Sequence, residues 1–341
     1  AIGFGSMFLN TTGINNTAVG TETLKANTTG SQNTAIGYQS LRLNTTGVEN
    51  VSIGNCSLYS NTIGKCNTAM GYESLKDNTT GIENTAIGHD ALTNNTIGGA
   101  NTAVGRSTLL NNTTGTHNTA VGKSALLSNT TGYWNTAIGT SAMAGGTGSN
   151  FNVAVGFGAL HVNGGGDDNV AIGTRALRQN TTGSQNVAVG LCAMYTNTSG
   201  KFNTALGFHS MRNNTIGSCN VAVGYKTLYL NTTGVDNMAV GYNSMYANTT
   251  GRQNVALGKN TLSANVSGIN NMAIGAYALS GNKADENTAL GSTSLESNTT
   301  GTQNVSIGAY SMRCNTTGNC NTAIGTRALY LNTTGVENVS I

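Results

Sequence analysis

Residues 33–49 read NTAIGYQSLRLNTTGVE, and the whole chain is variations on this one stretch. An Asn precedes a short apolar run at 16, 33, 50, 67, 84, 101, 118, 135, 152, 169, 186, 203, 220, 237, 254, 271, 287, 304, 321 and 338. Every step is 17 residues except the one from Asn271 to Asn287, which is 16. Numbered p1 to p17, the unit is N-[TV]-A-[IVL]-G-x-x-[STA]-[LM]-x-x-N-T-T-G-x-x. A fixed period of this length marks a repeat architecture in which neighbouring units bury a shared core. The chain starts at p3 (Ala1) and stops at p4 (Ile341), so residues 1–341 read as a single repeat array, a window of a longer repetitive chain.

Seventeen residues are too few for two packed helices and a turn. They suit two short strands with two turns. The p2–p5 segment is rich in β-branched residues, which strands favour. Gly at p5 and at p15 punctuates the unit, and Asn-Thr-Thr-Gly at p12–p15 has turn chemistry. The expected fold is therefore all-β: a parallel β-solenoid, or β-roll, of about twenty 17-residue coils with two short strands per coil. At a strand spacing of about 4.8 Å the array would extend on the order of 100 Å. The invariant p1 Asn is expected to form a ladder of stacked amides.

Composition excludes other classes. Among 341 residues there are 47 Gly, 49 Asn and no Pro, and only 9% are charged. A globular domain is usually about 25% charged and about 5% Pro. A formal charge of +3, with the basic residues scattered, is no footprint for nucleic acid. No stretch is apolar for long enough to span a membrane as a helix.

Two columns are more restricted than a solvent-facing column should be. The p3 residue is always Ala or Ser and p8 is always Ser, Thr or Ala, while p4 and p9 are large, apolar and expected to be buried. Since strand neighbours point to opposite faces, both faces look confined. One face would close inside the coil. The other would be covered by a second chain, giving self-association as a homotrimer or longer filament. The alternative is a lone narrow solenoid in which Ala and Ser are tight for local reasons.

The run Asn-Thr-Ala-Ile-Gly at 33–37, 84–88 and 135–139 resembles the head repeat of YadA-like trimeric autotransporter adhesins. It also resembles repeat tracts of phage-type tail fibres. The match extends to every unit and to about half of each. The resemblance implies a left-handed parallel β-roll that is trimeric, extracellular and adhesive.

N-x-[ST] is the acceptor for N-glycosylation. It occurs at p12 in Asn10, Asn27, Asn44, Asn78, Asn112, Asn129, Asn180, Asn197, Asn231, Asn248, Asn265, Asn298, Asn315 and Asn332, and one residue earlier at Asn94 and Asn213. Regular N-linked glycans on these loops are one expectation, and plain turn chemistry is the other. Beyond such glycans no cofactor is expected. The six cysteines suggest three disulfides, Cys314–Cys320, Cys56–Cys66 and Cys192–Cys219.

Three loops break the pattern: 144–151, 163–168 and 282–286. The first two are Gly-rich and would mark a joint, or a small site using Asp167 and Asp168, unless they are simple loop drift. Catalysis is not expected. The four His, at 89, 117, 161 and 209, fall in four different columns, and no Ser or Thr is singled out beside a base. The sequence thus points to a structural protein of an extracellular fibre or filament, at a cell or virion surface. One alternative is an adhesin or tail-fibre shaft presenting a separate tip, with any receptor or carbohydrate bound by regions outside this window. A lesser alternative is an ice-binding solenoid.

Overall fold

The computed structural model describes residues 1–341 and contains no helix. Its fold is a parallel β-solenoid with one 17-residue unit per turn. The chain divides into two compact units, Ala1–Asp168 and Asn169–Ile341, built from the same rung. The first unit stacks nine strands, from Thr17–Val19 to Val153–Val155. The second stacks eleven, from Val170–Ile172 to Val339–Ser340. Pairing inside each stack keeps like residues on like: Thr34 faces Val51, Ala35 faces Ser52 and Ile36 faces Ile53. The short step is absorbed without a change of register, as Met272 pairs with Thr288 and Ala273 with Ala289.

Each rung holds one regular strand, at p2–p4, where the sequence suggests two. A second strand occurs only as the two-residue segments Val162–Asn163 and Gln179–Asn180, at p11–p12. The remainder of the rung turns through left-handed backbone instead. In the rung that starts at Asn33, Gln39, Leu41 and Glu49 have φ of 54°, 52° and 58°. The same three columns, p7, p9 and p17, recur with positive φ along the chain. Such a conformation costs an L-residue about 1–2 kcal/mol. Here it aims amides at the adjacent rungs. Leu41 N–H donates to Ser57 O at 2.9 Å, toward the next rung, and Gln39 N–H donates to Thr21 O at 2.9 Å, toward the preceding one. Amides at p2, p5, p11, p13 and p17 are spent the same way. Proline has no N–H and a fixed φ near −65°, so it would fail at most positions of this rung. That accounts for its absence.

The interior is narrow. It is filled by p3 Ala, p8 Ser, Thr or Ala, and p9 Leu or Met, with Ala35, Ser40 and Leu41 fully buried in one rung. The confinement of p3 and p8 therefore has a local cause: both columns point inward. The expectation that p4 is buried is corrected. Strand alternation sends p4 outward, leaving Ile36 38% and Ile138 41% exposed.

Candidate functional site: two asparagine ladders and an uncharged outer face

Two asparagine columns organise the interior edge. At p1, Asn50 donates from its backbone N–H and from Nδ2 to Asn33 Oδ1, both at 3.1 Å. Its Nδ2 also donates to Gly64 O at 2.9 Å. At p12, Asn61 Nδ2 donates to Asn44 Oδ1 at 2.8 Å and to the same Gly64 O at 3.0 Å. One p15 carbonyl thus accepts from both ladders of its own rung. A side chain there would collide with the p12 amide: a Cβ on Gly64 would meet Asn61 Oδ1 and Gly81 O well inside contact distance. The irregular loop at 144–151 shows the rule by exchange. Gly146 stands at p12, and Ser149 then occupies p15 at 1% exposure.

This geometry corrects the glycosylation reading. Asn27, Asn44, Asn78, Asn112, Asn129, Asn180, Asn197, Asn231, Asn248, Asn265, Asn298 and Asn315 are buried. A glycan is carried on Nδ2, the atom that these residues turn into the interior to bond a carbonyl. Asn10 and Asn332 are half-buried and use Nδ2 in the same way. The p13 threonine hydroxyls bond along the stack, as Thr45 Oγ1 does to Thr62 O at 3.0 Å, while the p14 residue that completes the sequon is generally exposed, as Thr46 is. Asn94 and Asn213, at p11, are half-buried and outside the ladder; Asn94 Nδ2 donates to Asn111 Oδ1 at 3.0 Å.

The disulfide reading is also corrected, since all six cysteines are free thiols. Every column stacks on itself. Cys66 Sγ lies 3.3 Å from Glu49 Oε2 and Cys320 Sγ lies 3.4 Å from Gln303 Oε1, each one rung earlier in p17. A disulfide needs Cα atoms roughly 4.4–6.8 Å apart, which adjacent rungs of one column provide. No two cysteines occupy such a pair, because Cys56 and Cys192 lie at p7, Cys314 at p11, and Cys66, Cys219 and Cys320 at p17. The hydrogen bond that the Cys66 thiol donates to the Glu49 carboxylate raises the Cys66 pKa and so favours the thiol over the thiolate.

The loop at 163–168 remains a rung: Asn163 Nδ2 donates to Gly166 O at 2.7 Å, and Asp167 Oδ1 accepts from Asn150 N–H at 2.7 Å. Asp167 thereby serves as a p16 ladder member. No group of three or more His, Cys, Asp or Glu is placed to hold a metal ion. No helix is long and apolar enough to cross a membrane.

The outward face of the strands is the feature that sequence reasoning missed. Its residues are p2, always Thr, Val or Met, and p4, always Ile, Val, Leu or Met. All 16 basic and 13 acidic residues lie elsewhere, at p6, p7, p10, p11, p16, p17 or in the 282–286 loop. The outer columns p6, p7, p10, p11, p16 and p17 accept charge, whereas p2 and p4, like the threonine-rich p13–p14 loop outside residues 282–286, carry none, and of these uncharged columns only p4 is uniformly large and apolar. The signal was present in the sequence as an absence of charge at p2 and p4. A large apolar residue usually means the core, so the p4 column by itself points to burial.

Compared with known proteins, the chain matches no family model and no curated protein.

Proposed function

We propose that this is a structural, fibre-forming protein whose rungs associate side by side with a second copy of the chain through the uncharged p2/p4 face. The observation that carries this reading is the exposure of that face without a single charge, with Met70 at 42% and Ile274 at 38%. A strand of three residues and a rung spacing of about 4.8 Å give about 50 Å² per rung, hence about 450 Å² for the nine-strand unit and about 550 Å² for the eleven-strand unit. Each lies in the upper half of the range for a monomer's largest apolar patch, about 300–600 Å². A second copy presents the same rung spacing and the same alternation, so its ridges meet equivalent grooves. An extracellular or cell- or virion-surface setting goes with this reading and is supported by the adhesin-like and tail-fibre-like run at p1–p5. Nothing in the proposal requires catalysis.

Light scattering during size exclusion tests it. The parent chain should run well above the 34.8 kDa of one copy. Replacing Ile87 and Ile138 by Lys should return it to that mass with unchanged circular dichroism. A parent of 34.8 kDa, or a lysine variant that stays assembled, would contradict the proposal. A shaft for a receptor-binding tip would use the same rungs; an ice-binding role would instead show as thermal hysteresis by the monomer.

A further inference from the structure

The p16 and p17 columns form a continuous outer edge, and in one rung that edge is missing. Gly99 is the only glycine at p16 and Ala100 the only alanine at p17; the other p17 residues include Gln, Glu, Asp, His, Trp and Phe. The vacancy leaves a notch of about 380 Å³. Its floor is Gly99 and Ala100, its apolar side is Ile82 and Ile97, and its two ends are Glu83 and His117. Binding pockets for small ligands begin at about 300 Å³.

The walls define what fits. Glu83 and His117 belong to the same column two rungs apart, which at about 4.8 Å per rung leaves about 9.6 Å between them. Below, Trp134 lies in the next rung of p17 and stacks on His117, with ring centroids 4.3 Å apart and planes inclined by 14°. His117 therefore gives one ring face to Trp134 and turns the other toward the notch. A flat ring standing in the place of the missing p17 side chain would meet His117 at the separation Trp134 already has. There is height for one ring and not for two. Glu83, the one carboxylate lining the notch, lies at the opposite end, so a positively charged edge on the ring is favoured there.

We infer that this notch is a binding site for a single planar aromatic cation, such as an arylamidinium or an arylmethylammonium. The ring continues the Trp134–His117 stack, and the charge is directed to Glu83. The inference is independent of self-association, because p16 and p17 lie outside the p2–p4 face.

Benzamidine titrated into the full chain labelled with ¹³C-histidine is the test. The chain has four His, so the spectrum has four histidine ring signals. Saturable ring-current movement of the His117 signal, with His89, His161 and His209 still, is expected. Ala100→Phe should abolish the movement by placing a protein ring in the notch. This variant adopts nothing new, since Phe151 and Phe202 already occupy p17 at φ of 56° and 58°, against 56° for Ala100. Glu83→Gln should weaken binding about tenfold, the usual difference between a charged and a neutral hydrogen bond. An immobile His117 signal, equal movement of all four, or an Ala100→Phe variant that titrates like the parent would overturn the site. An undiminished affinity in Glu83→Gln would overturn its preference for cations.

Discussion

The smallest unit that explains the molecule is a trio: the p1 and p12 asparagines and the p15 glycine whose carbonyl both of them reach. In the rung that starts at Asn101, Asn101 Nδ2 and Asn112 Nδ2 donate to Gly115 O at 2.8 and 3.0 Å. Asn112 Nδ2 also donates to Asn95 Oδ1, and its own Oδ1 accepts from Asn129 Nδ2, each at 2.8 Å. Removing that side chain leaves partners buried and unpaired, at about 1–3 kcal/mol each. Asn112→Ala should therefore destabilise its neighbourhood by about 3 kcal/mol, read as faster amide exchange at Asn95 and Asn129. Thr114→Ala, on the exposed loop, should change exchange little. The structure holds a natural version of this defect. In the 16-residue rung Asn282 Oδ1 still accepts from Asn298 Nδ2 at 2.7 Å, but Asn282 Nδ2 turns to Ala284 O instead of Asn265 Oδ1, which is left buried without a partner. A second residue-level contact concerns Glu22. It accepts from Lys25 at 2.6 Å, Gln39 at 2.9 Å and Arg42 at 2.9 Å. These bonds, Lys25's first, lower its pKa from 4.5 to about 2. A lowered carboxyl pKa stabilises the fold above the unfolded value, and the contribution is lost as pH falls through the folded value. The Glu22 carboxyl should thus titrate near pH 2 by NMR in the parent, and closer to its ordinary value in Arg42→Gln.

At the scale of the rung, one strand and three left-handed residues replace the expected pair of strands. The period, the p1 ladder, the parallel in-register stacking and the burial of p9 were legible in residues 33–49, because each follows from repetition alone. The direction of p4 was not legible. Alternation fixes p3 and p4 on opposite faces but leaves open which face is inside, and the larger apolar residue argued for the wrong one. The interior accepts only Ala or Ser at p3, where Leu41, Asn33 and Asn44 fill the other sides of the coil, all fully buried. The turn at p12–p15 was legible as a turn, yet its asparagine was read as a surface acceptor. Nothing in Asn-Thr-Thr-Gly distinguishes an amide turned into the coil from one turned out. The cysteine pairs failed for a related reason. Proximity along the chain suggested partners, whereas in this fold each column finds its neighbour one period away. The notch at Gly99 and Ala100 was legible in principle, as the one rung with Gly at p16 and Ala at p17.

For the molecule as a whole, stability is a sum of rungs and of contacts between neighbouring rungs. No rung can stand alone, since its p1 and p12 amide oxygens and most of its backbone N–H groups find their partners only in the rungs on either side. The same repetition spreads one uncharged face over every rung, and assembly through that face is the use proposed for it. All of this depends on asparagines lying in vertical columns with their amides bonded to one another. Side-chain amide hydrogen exchange on a ¹⁵N-asparagine-labelled chain measures that condition directly. Slow exchange should separate the buried ladder residues, Asn44, Asn50, Asn61 and their equivalents, from Asn15, Asn55 and Asn270, which are exposed and should exchange at the rate of a free peptide. Uniformly fast exchange of every asparagine side chain would contradict the stacked-rung structure.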